Sequence, residues 1–128
     1  MKVVCVIGVG LIGGSFSKDI QAHYPEVKRI GIDTNDHYLA EALKLGVIDE
    51  IGHLEDVVQA DLVFIAIPVD ATLKILPQVL DHVSAHTVVV DAGSTKASLC
   101  EVVQNHPNRR NYLAAHPIAG TEFSGPSA

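Results

Sequence analysis

Tryptophan is absent from this sequence, and only three Tyr and three Phe stand among its 128 residues. A core without large rings must be filled by Val, Ile, Leu and Ala. That palette suits parallel strands buried on both faces, which read as short continuous aliphatic runs. Basic residues are scarce too: nine Lys and Arg against fifteen Asp and Glu leave a net charge of −6. No basic cluster extends beyond a pair such as Arg109 and Arg110, whereas binding a phosphate backbone draws on arrays of cations, so a nucleic-acid partner is excluded. There are two Cys, Cys5 in an aliphatic run and Cys100 in a helical pattern. Neither has a pairing or metal-ligand spacing, so two reduced thiols, no metal site and a cytoplasmic protein are expected. No apolar run approaches the ~20 residues of a membrane span. Gly8, Gly10, Gly13 and Gly14 interrupt the apolar start that follows Lys2, so neither a leader peptide nor membrane association is expected. The length fits one domain.

What is present alternates. Aliphatic runs predict strands at Lys2–Ile7, Arg29–Asp33, Leu62–Ile67, Thr87–Asp91 and Tyr112–Ala115, with a weaker one near Asp49–Ile51. Amphipathic stretches between them predict helices at about Leu11–Ala22, Asp36 to a cap at Gly46, Leu54–Gln59, Ala71–His82 with Asp70 as N-cap, and Ala97–Asn105. Strands alternating with crossover helices specify an α/β, doubly wound parallel sheet of the Rossmann type. After Ala115 the period is lost, and the expectation is one domain over residues 1–128. Its last dozen or so residues would form a pocket segment leading into a second domain that is missing here.

Gly8-Val9-Gly10-Leu11-Ile12-Gly13 reads G-x-G-x-x-G. Three glycines at fixed positions say little alone, but this set directly follows a strand and directly opens a helix, as dinucleotide binding requires. Gly8 permits the tight turn, Gly10 lets the backbone approach a pyrophosphate, and Gly13 lets helix and strand pack closely. The N–H groups around Leu11 and Ile12 then present the positive end of the helix to the ligand. The alternative is a glycine-rich turn with no ligand. Asp33, twenty positions beyond Gly13, ends the second strand, where a carboxylate accepts hydrogen bonds from ribose hydroxyls. It would repel a 2′-phosphate, and Thr34, Asn35 and Asp36 offer no cation in compensation. NAD is therefore expected rather than NADP.

Residues that follow parallel strands share one edge of the sheet, where open α/β folds bind ligands. The glycine turn, Asp33, Pro68, Ser94 and His116 all qualify. His116 is the candidate general base, because a neutral imidazole at pH 7 accepts a proton and Pro117 holds it in extended geometry. It could equally be a histidine that merely ends a strand. Ser94 could hydrogen-bond the cofactor, a substrate or His116, or cap the following helix. Lys96 could neutralise an anion or simply be solvated.

Three segments, GVGLIGGS at Gly8–Ser15, DAGSTK at Asp91–Lys96 and above all HPIAGTEFSG at His116–Gly125, resemble the prephenate and arogenate dehydrogenase family of tyrosine biosynthesis. The resemblance spans the whole chain in order. It implies NAD-dependent oxidative decarboxylation of prephenate to 4-hydroxyphenylpyruvate, with His116 as catalytic histidine on the ring hydroxyl and Ser94 orienting it. Thr121, Glu122 and Ser124 would border the substrate, which is prephenate or arogenate. It further implies a following helical domain that supplies dimer contacts and substrate-binding cations. A homodimer is therefore expected only for the intact protein, and the present chain is expected to bind NAD but turn over weakly or not at all. Two other readings remain open. One is a relative acting on a β-hydroxy acid or cyclic imine, which gives no reason for His116-Pro117 with Gly120 and Gly125. The other is a non-catalytic NAD-sensing module.

Overall fold

The computed structural model of the protein describes residues 1–92 and 96–113. Five parallel strands, β1 (Val3–Ile7), β2 (Lys28–Ile32), β3 (Glu50–Ile51), β4 (Leu62–Ile65) and β5 (Val88–Asp91), form one sheet in the order β3-β2-β1-β4-β5. The chain winds outward from β1 to β3, then returns to the other side of β1 and continues with β4, so the winding reverses between β1 and β4. Tyr112 adds a parallel bridge to Val89 on the outer side of β5, and the Leu113 N–H donates to the Val89 carbonyl at 2.8 Å. The rest of the strand expected at Tyr112–Ala115 lies outside the described residues.

The alternation of side chains along each strand assigns the two faces. Cys5, Ile7, Ile30, Ile32, Val63, Ile65 and Val89 join Leu76, Val79 and Leu80 of α3 (Val69–His82) and Leu99 and Val103 of α4 (Lys96–Val103) in one buried cluster. Val4, Val6 and Phe64 point the other way, onto Ile20 of α1 (Leu11–His23). A third cluster packs Val9 and Ile48 against Leu39 and Ala42 of α2 (Asp36–Lys44). Both faces are covered, which explains why the strands read as unbroken aliphatic runs. Burial also pushes the Cys5 thiol up to about 12, helped by the Asp56 carboxylate, so Cys5 serves as a core filler rather than a nucleophile.

Several boundaries differ from the sequence expectations for local reasons. Leu54–Gln59 is a 3-10 helix rather than an α-helix, and β4 stops at Ile65 instead of Ile67. The N-cap of α3 is Pro68, whose carbonyl accepts the first helical bond from the Thr72 N–H at 2.9 Å, and Asp70 falls inside the first turn. There its charge still complements the helix dipole. Asn35 caps α2 by accepting from the Tyr38 N–H at 3.0 Å, and Gly46 just beyond α2 takes the left-handed φ of 74° that favours glycine.

At the end of the sheet opposite the glycine turn, Arg29 is 1% exposed. Its Nε and Nη2 donate to the two oxygens of Asp49 at 3.1 and 3.0 Å, Nη1 to the Val47 carbonyl at 2.8 Å, and Nη2 to the Gly46 carbonyl at 3.1 Å. Nη1 also reaches Ser17 of α1 at 3.4 Å. The Ser17 hydroxyl in turn donates to Val47. One guanidinium thus ties β2 to α1 and to the turn leading into β3.

Candidate dinucleotide site

The glycine turn owes its shape to two close approaches. Gly8 has a φ of 94°, and a Cβ there would lie 2.4 Å from the Ala66 carbonyl oxygen, at the end of β4. A Cβ on Gly13 would meet the Gly8 carbonyl oxygen at 1.8 Å. Only glycine fits at either place, and packing within the protein accounts for both. Gly10 is different. Its φ of −74° and ψ of −153° are extended, and a Cβ added to it would meet none of the described residues within 4 Å. Neither backbone strain nor packing requires glycine there, so what a side chain would fill is the open space beside the turn.

Gly10 is also the N-cap of α1, and among the described residues no side chain caps that helix. The first N–H groups of α1 therefore have no intrahelical acceptor and concentrate positive potential at the turn. Leu11 and Ile12 carry large side chains that are 87% and 61% exposed, which leaves their backbone at the surface of the helix start. Gly13 lies buried beneath them.

Gly8, Gly10, Asp33 and Pro68 converge on one cleft of about 670 Å³ at the carboxyl edge of the sheet, where the winding reverses. This is the position at which open α/β sheets take ligands. The cleft is within the size range of cofactor sites, and its walls are mainly apolar, with Ile7, Ile32, Leu54, Ile67 and Ile75 among them. Asp33 sits at the mouth of β2. Its Oδ2 accepts from the Val9 N–H at 3.0 Å and its Oδ1 from the Asn35 N–H at 2.9 Å. Each oxygen keeps a further lone pair for a ligand hydroxyl. Leu11 opens instead onto a neighbouring groove between α1 and α2. Ser94, His116, Thr121, Glu122 and Ser124 lie outside the described residues.

The sequence reading missed the opposite wall. Ala71, Lys74, Ile75 and Gln78 of α3 line the cleft, as do His53 and Leu54 after β3. The signal was available in part, because positions 71, 74, 75 and 78 recur with helical spacing directly after Pro68. Thr34, Asn35 and Asp36 bring no cation to Asp33, but Lys74 reaches the same cleft from a distant part of the chain. Near the far edge of the sheet, the Tyr112 hydroxyl donates to Asp91 Oδ1 at 2.6 Å. Burial pushes the Tyr112 phenol up, and the bond to Asp91 adds to the shift. Among the described residues no helix is long and apolar enough to cross a membrane.

The residues present fit a dinucleotide: a glycine that no described neighbour requires, an uncapped helix start, and a carboxylate at the mouth of the second strand. Comparison with known proteins agrees. Residues 16–128 match the family model described as "Prephenate dehydrogenase, nucleotide-binding domain". That span begins beyond the glycine turn, so the match does not rest on the spacing of Gly8, Gly10 and Gly13. The prephenate dehydrogenase of Bacillus subtilis (strain 168) is 37% identical over 129 residues, covering 98% of this chain and 35% of that protein. The cyclohexadienyl dehydrogenase of Zymomonas mobilis is 33% identical over 132 residues, covering 99% of this chain and 44% of that protein. The crystal structure of A. aeolicus prephenate dehydrogenase in complex with hydroxyphenyl propionate and NAD+ superposes with a TM-score of 0.77 at 29% identity, covering 94% of this chain and 43% of that one. The chain thus spans between about a third and somewhat under half of the length of these relatives. A glycine turn that opens onto a cleft at the reversal of a Rossmann sheet, followed by a match over most of the remaining residues, makes this chain a member of the prephenate dehydrogenase family, corresponding to its nucleotide-binding domain.

Proposed function

We propose that this chain is the NAD-binding part of a prephenate dehydrogenase. The observation that carries the proposal is Gly10, whose missing side chain no described neighbour requires, at the uncapped start of α1 on a cleft shared with Asp33. In this reading the N–H groups of Leu11 and Ile12 hold the pyrophosphate, and Asp33 accepts from the adenosine ribose. The apolar wall from Ile67 to Ile75 takes the adenine, and Pro68 borders the path toward the nicotinamide. NAD, when bound, supplies the hydride acceptor. His116 would take the proton of the ring hydroxyl as the carbon that bears it gives up its hydride, and Ser94 would orient the imidazole. The ring carboxylate would depart as CO2, its bonding electrons passing through the ring to the new carbonyl oxygen, which takes back a proton as the ring becomes aromatic. Thr121, Glu122 and Ser124 border the substrate. A cytoplasmic homodimer acting on prephenate or arogenate is the setting that the family resemblance implies.

Calorimetric titration of the chain with NAD tests the cofactor half. Gly10→Val should lower NAD affinity at least about tenfold, through a steric conflict worth more than ~1.4 kcal/mol. Its folding stability should change by no more than about 1 kcal/mol, the cost of a poorer N-cap. Equal affinity in both proteins would remove the argument. For the catalytic half, prephenate-dependent formation of NADH by a chain extended to the relatives' length separates this reading from a β-hydroxy acid or imine enzyme and from a sensor module.

A further inference from the structure

The hydrogen bonds of the glycine turn show that Asp33 acts on the protein itself. The Gly8 N–H donates to the Ile32 carbonyl at 2.8 Å, the Val9 N–H to Asp33 Oδ2 at 3.0 Å, and the Gly14 N–H to the Gly10 carbonyl at 2.8 Å. Asp33 Oδ1 accepts from the Asn35 N–H at 2.9 Å, and Asn35 is the residue that caps α2. The carboxylate is therefore a bridge, with one oxygen on the middle of the turn and the other on the lead into α2. An ionised carboxyl group is the only short side chain that accepts on both sides at once. An amide of the same shape turns its NH2 toward one of the two N–H donors. With the Val9 N–H committed to Asp33, the donors left for an anion are those at the uncapped start of α1.

We propose that Asp33 is a positioning residue for the pyrophosphate-binding turn, holding it in its ligand-ready shape before any ligand arrives. The proposal rests on the dinucleotide reading of the cleft and divides the contribution of Asp33 in two. One part passes to the ribose hydroxyls; the other passes through Val9 to the turn and persists for ligands that lack those hydroxyls. A residue that served only as ribose acceptor would show the first part alone. Its negative charge would then, if anything, oppose phosphate binding.

The 128-residue chain is titrated calorimetrically with ADP and with 2′,3′-dideoxy-ADP, as wild type and as Asp33→Asn. Hydrogen exchange of the Val9 amide is followed in both ligand-free proteins. Asp33→Asn should weaken dideoxy-ADP binding about tenfold, the scale of one charge-assisted hydrogen bond, and should speed Val9 exchange. Unchanged or tighter dideoxy-ADP binding overturns the proposal, whatever the exchange shows. A wild type that binds neither nucleotide defeats the dinucleotide reading on its own. Val9 exchange then still decides whether Asp33 holds the turn, and equal rates overturn that role. If the Asn variant does not fold, Asp33→Ser replaces it, since one short hydroxyl cannot bridge both N–H groups.

Discussion

Gly13→Ala is expected to cost about 3 kcal/mol or more of folding stability, at or above the upper end of ordinary overpacking. The added Cβ would lie 1.8 Å from the Gly8 carbonyl oxygen and 3.1 Å from a methyl of Val6. The first contact is with backbone, so no side-chain rotation relieves it. The start of α1 has to move off β1, and the β1 end is itself pinned by the bond from the Gly8 N–H to Ile32. Urea unfolding of the wild type and the variant measures the loss. A change below about 1 kcal/mol would mean that the helix can slide freely and that the close approach of α1 to β1 is unimportant. The contrast with Gly10, where the added group meets no described residue within 4 Å, separates a glycine required by packing from one that the described packing does not require.

Arg29→Ala should cost about 2 to 3 kcal/mol, the scale of losing hydrogen bonds to a charged group together with the packing of a buried side chain, because Asp49 itself is 44% exposed and is re-solvated. The guanidinium is almost fully enclosed and satisfies Asp49, the carbonyls of Val47 and Gly46, and Ser17. Its removal leaves a cavity and cuts the tie between β2, α1 and the turn before β3, while Gly46 and Asp49 are exposed and turn to water. The same contact sets a pH dependence. Hydrogen bonds from the Arg29 side chain, reinforced by its backbone N–H, hold the Asp49 carboxyl below its ordinary 3.8. The unfolded chain therefore takes up a proton at Asp49 before the folded one does. The contribution of this pair is complete above 3.8 and drains away as pH falls through the folded value. Asp61 shifts in the same direction because it accepts from the N–H groups of Lys2 and Val3, so the informative comparison is wild type against Asp49→Asn. The gap between their urea midpoints should be constant above 3.8 and narrow below it. A gap that stays constant into the acid range would show that Asp49 gains nothing from Arg29.

Sequence patterns exposed the chemistry of the turn because that chemistry is local. Gly8, Gly10 and Gly13 lie within six residues, and their spacing reports a strand that must bend at once into a helix. Asp33 could be located because one strand and one helix of ordinary length separate it from the turn. Lys74 and His53 were not legible as site residues. Lys74 reaches the cleft because the sheet reverses between β1 and β4 and starts α3 at its carboxyl edge, and His53 because it follows β3 at that same edge. The mistaken cap of α3 has the same origin in miniature. Asp70 has the better capping side chain, but Pro68 already confines the backbone where the helix begins, and geometry prevailed over propensity.

By itself the amino-acid sequence determined the parallel α/β architecture and the position of the glycine turn, and it singled out the acidic residue that the structure places beside that turn. Aliphatic runs, glycine spacing and strand ends are all features of neighbouring residues. Only the tertiary structure decided that Arg29, a charged residue inside a predicted strand, is enclosed and serves as a clamp, and that Asp33 is already engaged with Val9 and Asn35. Burial and hydrogen-bond partnership depend on what distant segments bring within about 3 Å, and no local pattern along the chain records that.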